Sequence, residues 1–168
     1  DLLDSIKPGF YLNKALYQKT SVPEELARYI GGELVGSSYI SLEYALALYG
    51  ILAESIYTIT YITTKKTRTF QNDLMSFKYR NIKSGLFWGY TKRSFENFSY
   101  QIASPAKALF DLIYLTPLGN GRMAREFLFG SRFNWGVFTS KDMKEFKTIV
   151  TKSKSKKMSN ILQYVYER

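Results

Sequence analysis

Apolar and polar residues along this chain recur with two different periods, and the switching between them predicts an α+β fold. Leu42, Ala45, Leu46, Tyr49 and Leu52 fall at helical spacing and share one face. Leu48 and Ile51 widen that face beyond what a surface helix needs, so the helix is expected to be deeply buried. Ser41 stands where a cap belongs, and Gly50 near the end serves as a cap or a point of close packing. From Ile56 to Thr64 the period becomes two, with Tyr57, Ile59 and Tyr61 on one side and Ile56, Thr58, Thr60 and Ile62 on the other. This predicts a strand. Further strands are predicted at Thr67–Phe70, at Met75–Arg80, where Met75, Phe77 and Tyr79 alternate with Ser76, Lys78 and Arg80, and at Phe98–Ala103. The alternation over Met75–Arg80 implies one buried and one wet face. The expected sheet is an antiparallel meander of about four strands packed with helices.

Flanking signals complete the outline. Gly9–Lys14 (GFYLNK) reads as a short strand after the Pro8-Gly9 turn. Ser21 and Glu24 have capping-box spacing around Pro23, predicting a helix that stops at Gly31-Gly32. Ser104-Pro105 opens a helix whose Ala106, Leu109, Phe110 and Ile113 line one face. On that helix Lys107 and Asp111, four apart, read as a solvated ion pair rather than a functional dyad. Gly119-Asn120-Gly121 reads as a turn before a short helix over Arg122–Phe129. Beyond Thr139 the composition becomes basic, with helical spacing over Asp142–Val150 and Met158–Tyr166. Between them, Lys152, Lys154, Lys156 and Lys157 lie in a serine-interleaved stretch that reads as a mobile linker. Three segments result: an N-terminal strand and linker over residues 1–20, a central domain over 21–138 and a basic helical tail over 139–168.

Charge narrows the partners. Lys and Arg number 24 against 14 Asp and Glu, a formal net charge of +10, which favours nucleic acid, acidic protein or anionic surfaces. No stretch has the roughly 20 mostly apolar residues of a spanning helix. Ile40–Ile62, the longest candidate, is interrupted by Glu43 and Glu54. Residues 1–8 lack the basic start and apolar run of an export sequence, so a cytoplasmic protein with no membrane partner is expected. The absence of cysteine fits that compartment and excludes thiolate metal sites. With no histidine either, the commonest general base and metal ligand are missing.

Candidate chemistry rests on the residue types that remain. Glu33, Glu43, Glu54, Asp73, Glu96 and Asp111 show no spacing that would gather a metal or a proton-trading pair, so no catalytic residue, metal or cofactor is assigned. The basic clusters are the stronger signal: Lys65, Lys66 and Arg68 beside one strand, then Lys78, Arg80 and Lys83 on the wet face of the next. On neighbouring strands they are expected to form one positive surface that contacts phosphates or an acidic protein. Phe87, Trp88 and Tyr90 come after Ser84-Gly85 and either anchor a partner or plug the open end of the sheet.

Four phrases stand in fixed order: Gly36–Leu52 (GSSYISLEYALALYGIL), Tyr57–Phe70 (YTITYITTKKTRTF), Phe77–Tyr90 (FKYRNIKSGLFWGY) and Ile102–Leu115 (IASPAKALFDLIYL). Together they resemble the C-terminal domain of the AbiEi family, the antitoxins of abortive-infection toxin–antitoxin pairs. The family's tyrosine-isoleucine-serine-leucine-glutamate opening matches Tyr39–Glu43, its threonine-to-phenylalanine strand Thr63–Phe70, and its serine-proline-x-lysine-alanine helix start Ser104–Ala108. Tyr44 stands where a small residue is usual, and Ala106 where glutamate is usual. The resemblance implies a non-enzymatic phage-defence protein that counteracts a nucleotidyltransferase-like toxin. It also implies an N-terminal winged helix-turn-helix acting as transcriptional regulator of the operon. GFYLNK resembles the last strand of that wing, and the recognition helices are expected to lie upstream of this sequence. The alternative is a nucleic-acid-binding or degenerate nuclease-like domain, using the basic strand face on DNA.

Overall fold

Strand pairing, rather than helix content, is where the fold departs from the expected outline. The computed structural model describes residues 3–130 and 132–167. Residues 1, 2, 131 and 168 of the three predicted segments lie outside the described residues. The chain opens with an antiparallel pair, β1 (Leu3–Lys7) and β2 (Phe10–Asn13), the latter being the predicted GFYLNK strand. Two helices come next, α1 (Lys14–Lys19) and α2 (Pro23–Leu34). Then come β3 (Ser38–Ile40), α3 (Leu42–Leu48), β4 (Ile59–Thr63), β5 (Arg68–Gln71) and β6 (Ser76–Asn81). The sheet is completed by β7 (Tyr90–Phe95) and β8 (Phe98–Ala103). Four helices end the chain: α4 (Pro105–Leu115), α5 (Gly121–Phe129), α6 (Ser140–Ser153) and α7 (Lys156–Tyr166).

The α+β class holds, but the four-strand meander does not. The main sheet has six strands in the order β5-β6-β4-β3-β8-β7, and it is mixed: β4 runs parallel to β6, and β3 parallel to β8. Two strands that the sequence pattern did not predict make up the difference in number: β3, which lies between β4 and β8 with Tyr39 and Ile40 fully buried, and β7, which pairs antiparallel with β8 at the sheet edge. Every residue of β4 is buried as well, as an interior strand covered on both faces requires. On β6 the expected alternation holds, since Phe77 and Tyr79 are buried and Lys78 is exposed.

One face of the sheet carries α2. Its predicted stop at Gly31-Gly32 is not observed, and the helix continues to Leu34. Gly31 is needed for approach rather than termination: a Cβ there would run into the Tyr61 ring. The close contact lets Tyr79 Oη donate to Gly31 O at 2.5 Å and Tyr61 Oη to Arg28 O at 2.6 Å. No side chain caps this helix, so the expected Ser21–Glu24 box is absent. The other face carries α3 and α4. Helix α3 ends earlier than expected because Gly50, at φ +71°, turns the chain back. Ile51 and Leu52 N–H then both donate to Leu46 O, at 2.9 and 3.2 Å.

The basic tail is built into the same core. Phe146, Val150, Met158 and Val165 are buried and belong to one hydrophobic cluster with α4. The stretch expected to be a mobile linker is instead a tight turn. Lys154 adopts the left-handed conformation at the end of α6, and Ser155 caps α7 by accepting from Met158 N.

Candidate functional site

Helix α4 starts as its sequence predicts: Ser104 Oγ accepts from Lys107 N–H at 3.1 Å, and Pro105 occupies the first turn. The same hydroxyl donates to Glu145 Oε1 of α6 at 2.5 Å. Lys107 and Asp111, however, are not the solvated pair expected of them. Both side chains are 0% exposed and ion-paired to each other. The reason is the rest of the helix, where Ala106, Ala108, Leu109, Phe110 and Ile113 are also completely buried. Lying between the sheet and α6, α4 has no wet side at this level, so its one charged pair is enclosed.

The pair is satisfied from β3 and from the residue immediately after it. Lys107 Nζ also donates to Tyr39 Oη at 3.0 Å, and Tyr39 Oη donates to Asp111 Oδ2 at 3.0 Å. Ser41 Oγ donates to the same Oδ2 at 2.8 Å. Ser41 thus caps nothing, contrary to expectation; its hydroxyl serves the carboxylate instead. Burial pushes the Lys107 ammonium below its ordinary range and the Asp111 carboxyl above its own, while their mutual attraction opposes both shifts. Burial, then the Asp111 charge, pushes the Tyr39 hydroxyl far up. It therefore remains a donor.

The ring-rich segment closes over this cluster. Tyr90 stacks on Tyr39 with centroids 4.5 Å apart, and Phe87 meets Tyr39 at 5.1 Å. Trp88 lies 5.7 Å from Lys107 Nζ and donates its Nε1–H to Gly85 O at 2.9 Å. Between them Gly89, at φ +83°, passes so near the Lys107 side chain that a Cβ would come within 3.0 Å of it. Glycine is required there both by the backbone conformation and by the space. Phe87 and Tyr90 therefore cover the core, and all three rings remain partly exposed.

The predicted basic surface is divided. Arg68 pairs with Tyr79 across β5 and β6, which puts it on the face that carries α2. Lys78 and Arg80 lie beside Thr60 and Ile62, on the face that carries α4. The pleat is the cause, since residues directly opposite share a face and their neighbours take the other. Lys65 and Lys66 are exposed in the loop before β5, where Arg68 Nε turns back to Lys66 O at 3.2 Å. Arg80 Nη2 reaches Leu115 O at 3.3 Å, and Lys83 is exposed beyond β6. The six cations thus do not form one patch.

A second buried charge lies on the opposite face. Arg28 is 5% exposed; its Nε donates to Tyr44 Oη at 3.1 Å and its guanidinium pairs with Glu24 and Glu25 at 3.0 and 2.8 Å. This explains why a tyrosine is accommodated at position 44. Beside it a cavity of about 460 Å³ is lined in part by Tyr17, Glu24, Arg28 and Tyr44. Among the described residues, no three His, Cys, Asp or Glu side chains stand together as a metal-holding group. No described helix is long and apolar enough to cross a membrane.

Sequence reasoning missed Tyr39, Ser41 and the burial of Lys107 and Asp111. One signal was present: the positions flanking the pair on α4 are apolar on every side, which leaves no polar stripe for it to occupy. Comparison with known protein families, with curated proteins and with solved structures returned no match.

Proposed function

We propose that this chain is the toxin-counteracting module of an abortive-infection toxin–antitoxin pair. It acts by binding, without bond-making chemistry of its own, against a nucleotidyltransferase-like toxin. In a full-length form it contributes to repression of its operon. One observation carries the reading: the phrases that resemble the AbiEi C-terminal domain meet in space. Tyr39 and Ser41 from the first, Phe87 and Tyr90 from the third, and Lys107 and Asp111 from the fourth form one connected cluster around the enclosed ion pair. Motif residues that satisfy one another in this way hold a scaffold together and leave recognition to its surface. The enclosed ion pair fits that role, because each buried charge is tolerable only while its partner is in place. The proposal is tested by co-expressing the chain with a nucleotidyltransferase-like toxin from its own operon. Growth is restored if the reading is right. Continued toxicity at normal antitoxin levels, with no toxin retained on the purified chain, overturns it.

A further inference from the structure

Two stretches of the chain carry cations and no carboxylate. Residues 74–95 contain Lys78, Arg80, Lys83, Lys92 and Arg93; residues 146–166 contain Lys147, Lys152, Lys154, Lys156 and Lys157. The fold joins them across α4. Arg80 donates to Leu115 O at 3.3 Å and Lys157 to Ile113 O at 2.8 Å, both at the last turn of that helix. Further along the seam, Lys152 Nζ of α6 stands 4.2 Å from the centroid of the Trp88 ring. Lys83 directly precedes the short turn Ser84–Leu86, to whose Gly85 carbonyl Trp88 is anchored. Lys83, Lys152, Lys154 and Lys156 are exposed, and none enters an ion pair among the described residues. Their charge is uncompensated by any of those pairs, and Lys152 stands over a partly exposed indole.

We propose that this surface, centred on Trp88 and Lys152, binds single-stranded nucleic acid. Phosphates are held by Lys83, Lys152, Lys154 and Lys156, and one unstacked base lies on Trp88. Cations that track a backbone, combined with an aromatic platform, form the sequence-tolerant mode of single-strand binding. A base inside a duplex has both faces covered by its stacked neighbours, whereas a splayed base can lay one face on the ring. As the base arrives, the Lys152 ammonium leaves the ring for the adjoining phosphate, exchanging a cation–π contact for a charge-assisted hydrogen bond. The surface differs from the strand face expected from the sequence: it omits Lys65, Lys66 and Arg68 and recruits the tail. It is independent of the antitoxin reading, since strand binding and rescue of growth are separate measurements.

The test is fluorescence anisotropy with a labelled oligothymidylate or oligouridylate of about 12 nucleotides, against a duplex of equal length, from about 50 to about 200 mM salt. Either single strand should bind more tightly than the duplex. The variant carrying Lys152→Gln, Lys154→Gln and Lys156→Gln should bind more than about tenfold more weakly at low salt. Its slope of log K against log salt should be shallower by about 2, at about 0.7 per lost phosphate contact. Trp88→Leu should cost about tenfold and abolish the quenching of indole emission that a saturating strand causes in the unaltered protein. The variant with Lys65→Gln, Lys66→Gln and Arg68→Gln should lose less than the tail variant. Absence of binding at the lowest salt, unchanged affinity in the tail variant, or tighter binding of the duplex overturns the proposal.

Discussion

Lys107 donates to Asp111 and to the hydroxyl of Tyr39, so a single ammonium ties α4 to the central strand β3. Both charges are out of water, and each is tolerable only because the other is present. Asp111→Ala leaves the Lys107 charge unpaired among Tyr39, Trp88 and Phe110, and is expected to cost about 3–5 kcal/mol. The double change Lys107→Met with Asp111→Ala removes both charges and should cost far less than the sum of Lys107→Met and Asp111→Ala made singly. Urea denaturation of the four proteins checks this. Additive losses would mean that the two charges are not coupled.

The two adjacent glycines of α2 should respond in opposite ways. A Cβ at Gly31 meets the Tyr61 ring, while one at Gly32 meets nothing within 4 Å. Gly31→Ala must displace a fully buried strand residue, and overpacking of this kind costs about 1–3 kcal/mol. Gly32→Ala reduces only the freedom of the unfolded chain and should add about 0.4–1 kcal/mol of stability. Thermal unfolding of the two variants decides the point. Equal effects would contradict the close approach of helix and sheet.

How much of this was legible in the sequence depends on how local the determinant is. Ser104-Pro105 announced α4 because a cap and a proline act within one helical turn. The alternation of Phe77 and Tyr79 with Lys78 announced β6 because a half-buried strand writes its environment into period two. Strand order did not show, because β3 is only three residues long and fully buried, with no alternation to display. The same holds for the candidate site. Lys107 and Asp111 had the spacing of a surface pair, and their burial depends on Tyr39 and Ser41, some seventy residues away. Division of the basic residues between two faces likewise comes from the register of β5 on β6, which single-strand patterns do not encode.

Alkaline conditions should destabilise the protein through its buried tyrosines. Burial raises the hydroxyls of Tyr39, Tyr61 and Tyr79 well above their ordinary value of 10.0. In the unfolded chain these groups ionise near pH 10. Above that pH the unfolded state binds fewer protons than the folded one, so stability falls as pH rises. It is unaffected by these groups at lower pH. Each tyrosine that stays protonated in the folded state should contribute about 1.4 kcal/mol per pH unit to the decline. Between pH 10 and 11, where the unfolded hydroxyl is only part ionised at the start, Tyr61→Phe should reduce the decline by about 1 kcal/mol, as read from urea midpoints. An unchanged slope would show that Tyr61 ionises in the folded protein.

Lys157 provides the last test, because it joins the tail to the end of α4. Its Nζ donates to Ile113 O, Tyr114 O and Thr116 O at 2.8, 3.0 and 2.5 Å, three carbonyls at the end of the helix. A helix C-terminus leaves such carbonyls unpaired and carries a partial negative charge, and an ammonium answers both. Burial holds the Lys157 pKa below its ordinary value. Lys157→Met keeps the aliphatic stem and removes the three donors, and should cost about 1–3 kcal/mol. Lys156→Met, at an exposed neighbour, should change stability by less than about 0.5 kcal/mol. Because α7 packs on α5 and α6 as well as on α4, the loss should appear in hydrogen exchange as weaker protection of the last turn of α4 before any fraying of α7. If α7 exchanges first, the lysine is anchoring the tail rather than capping the helix.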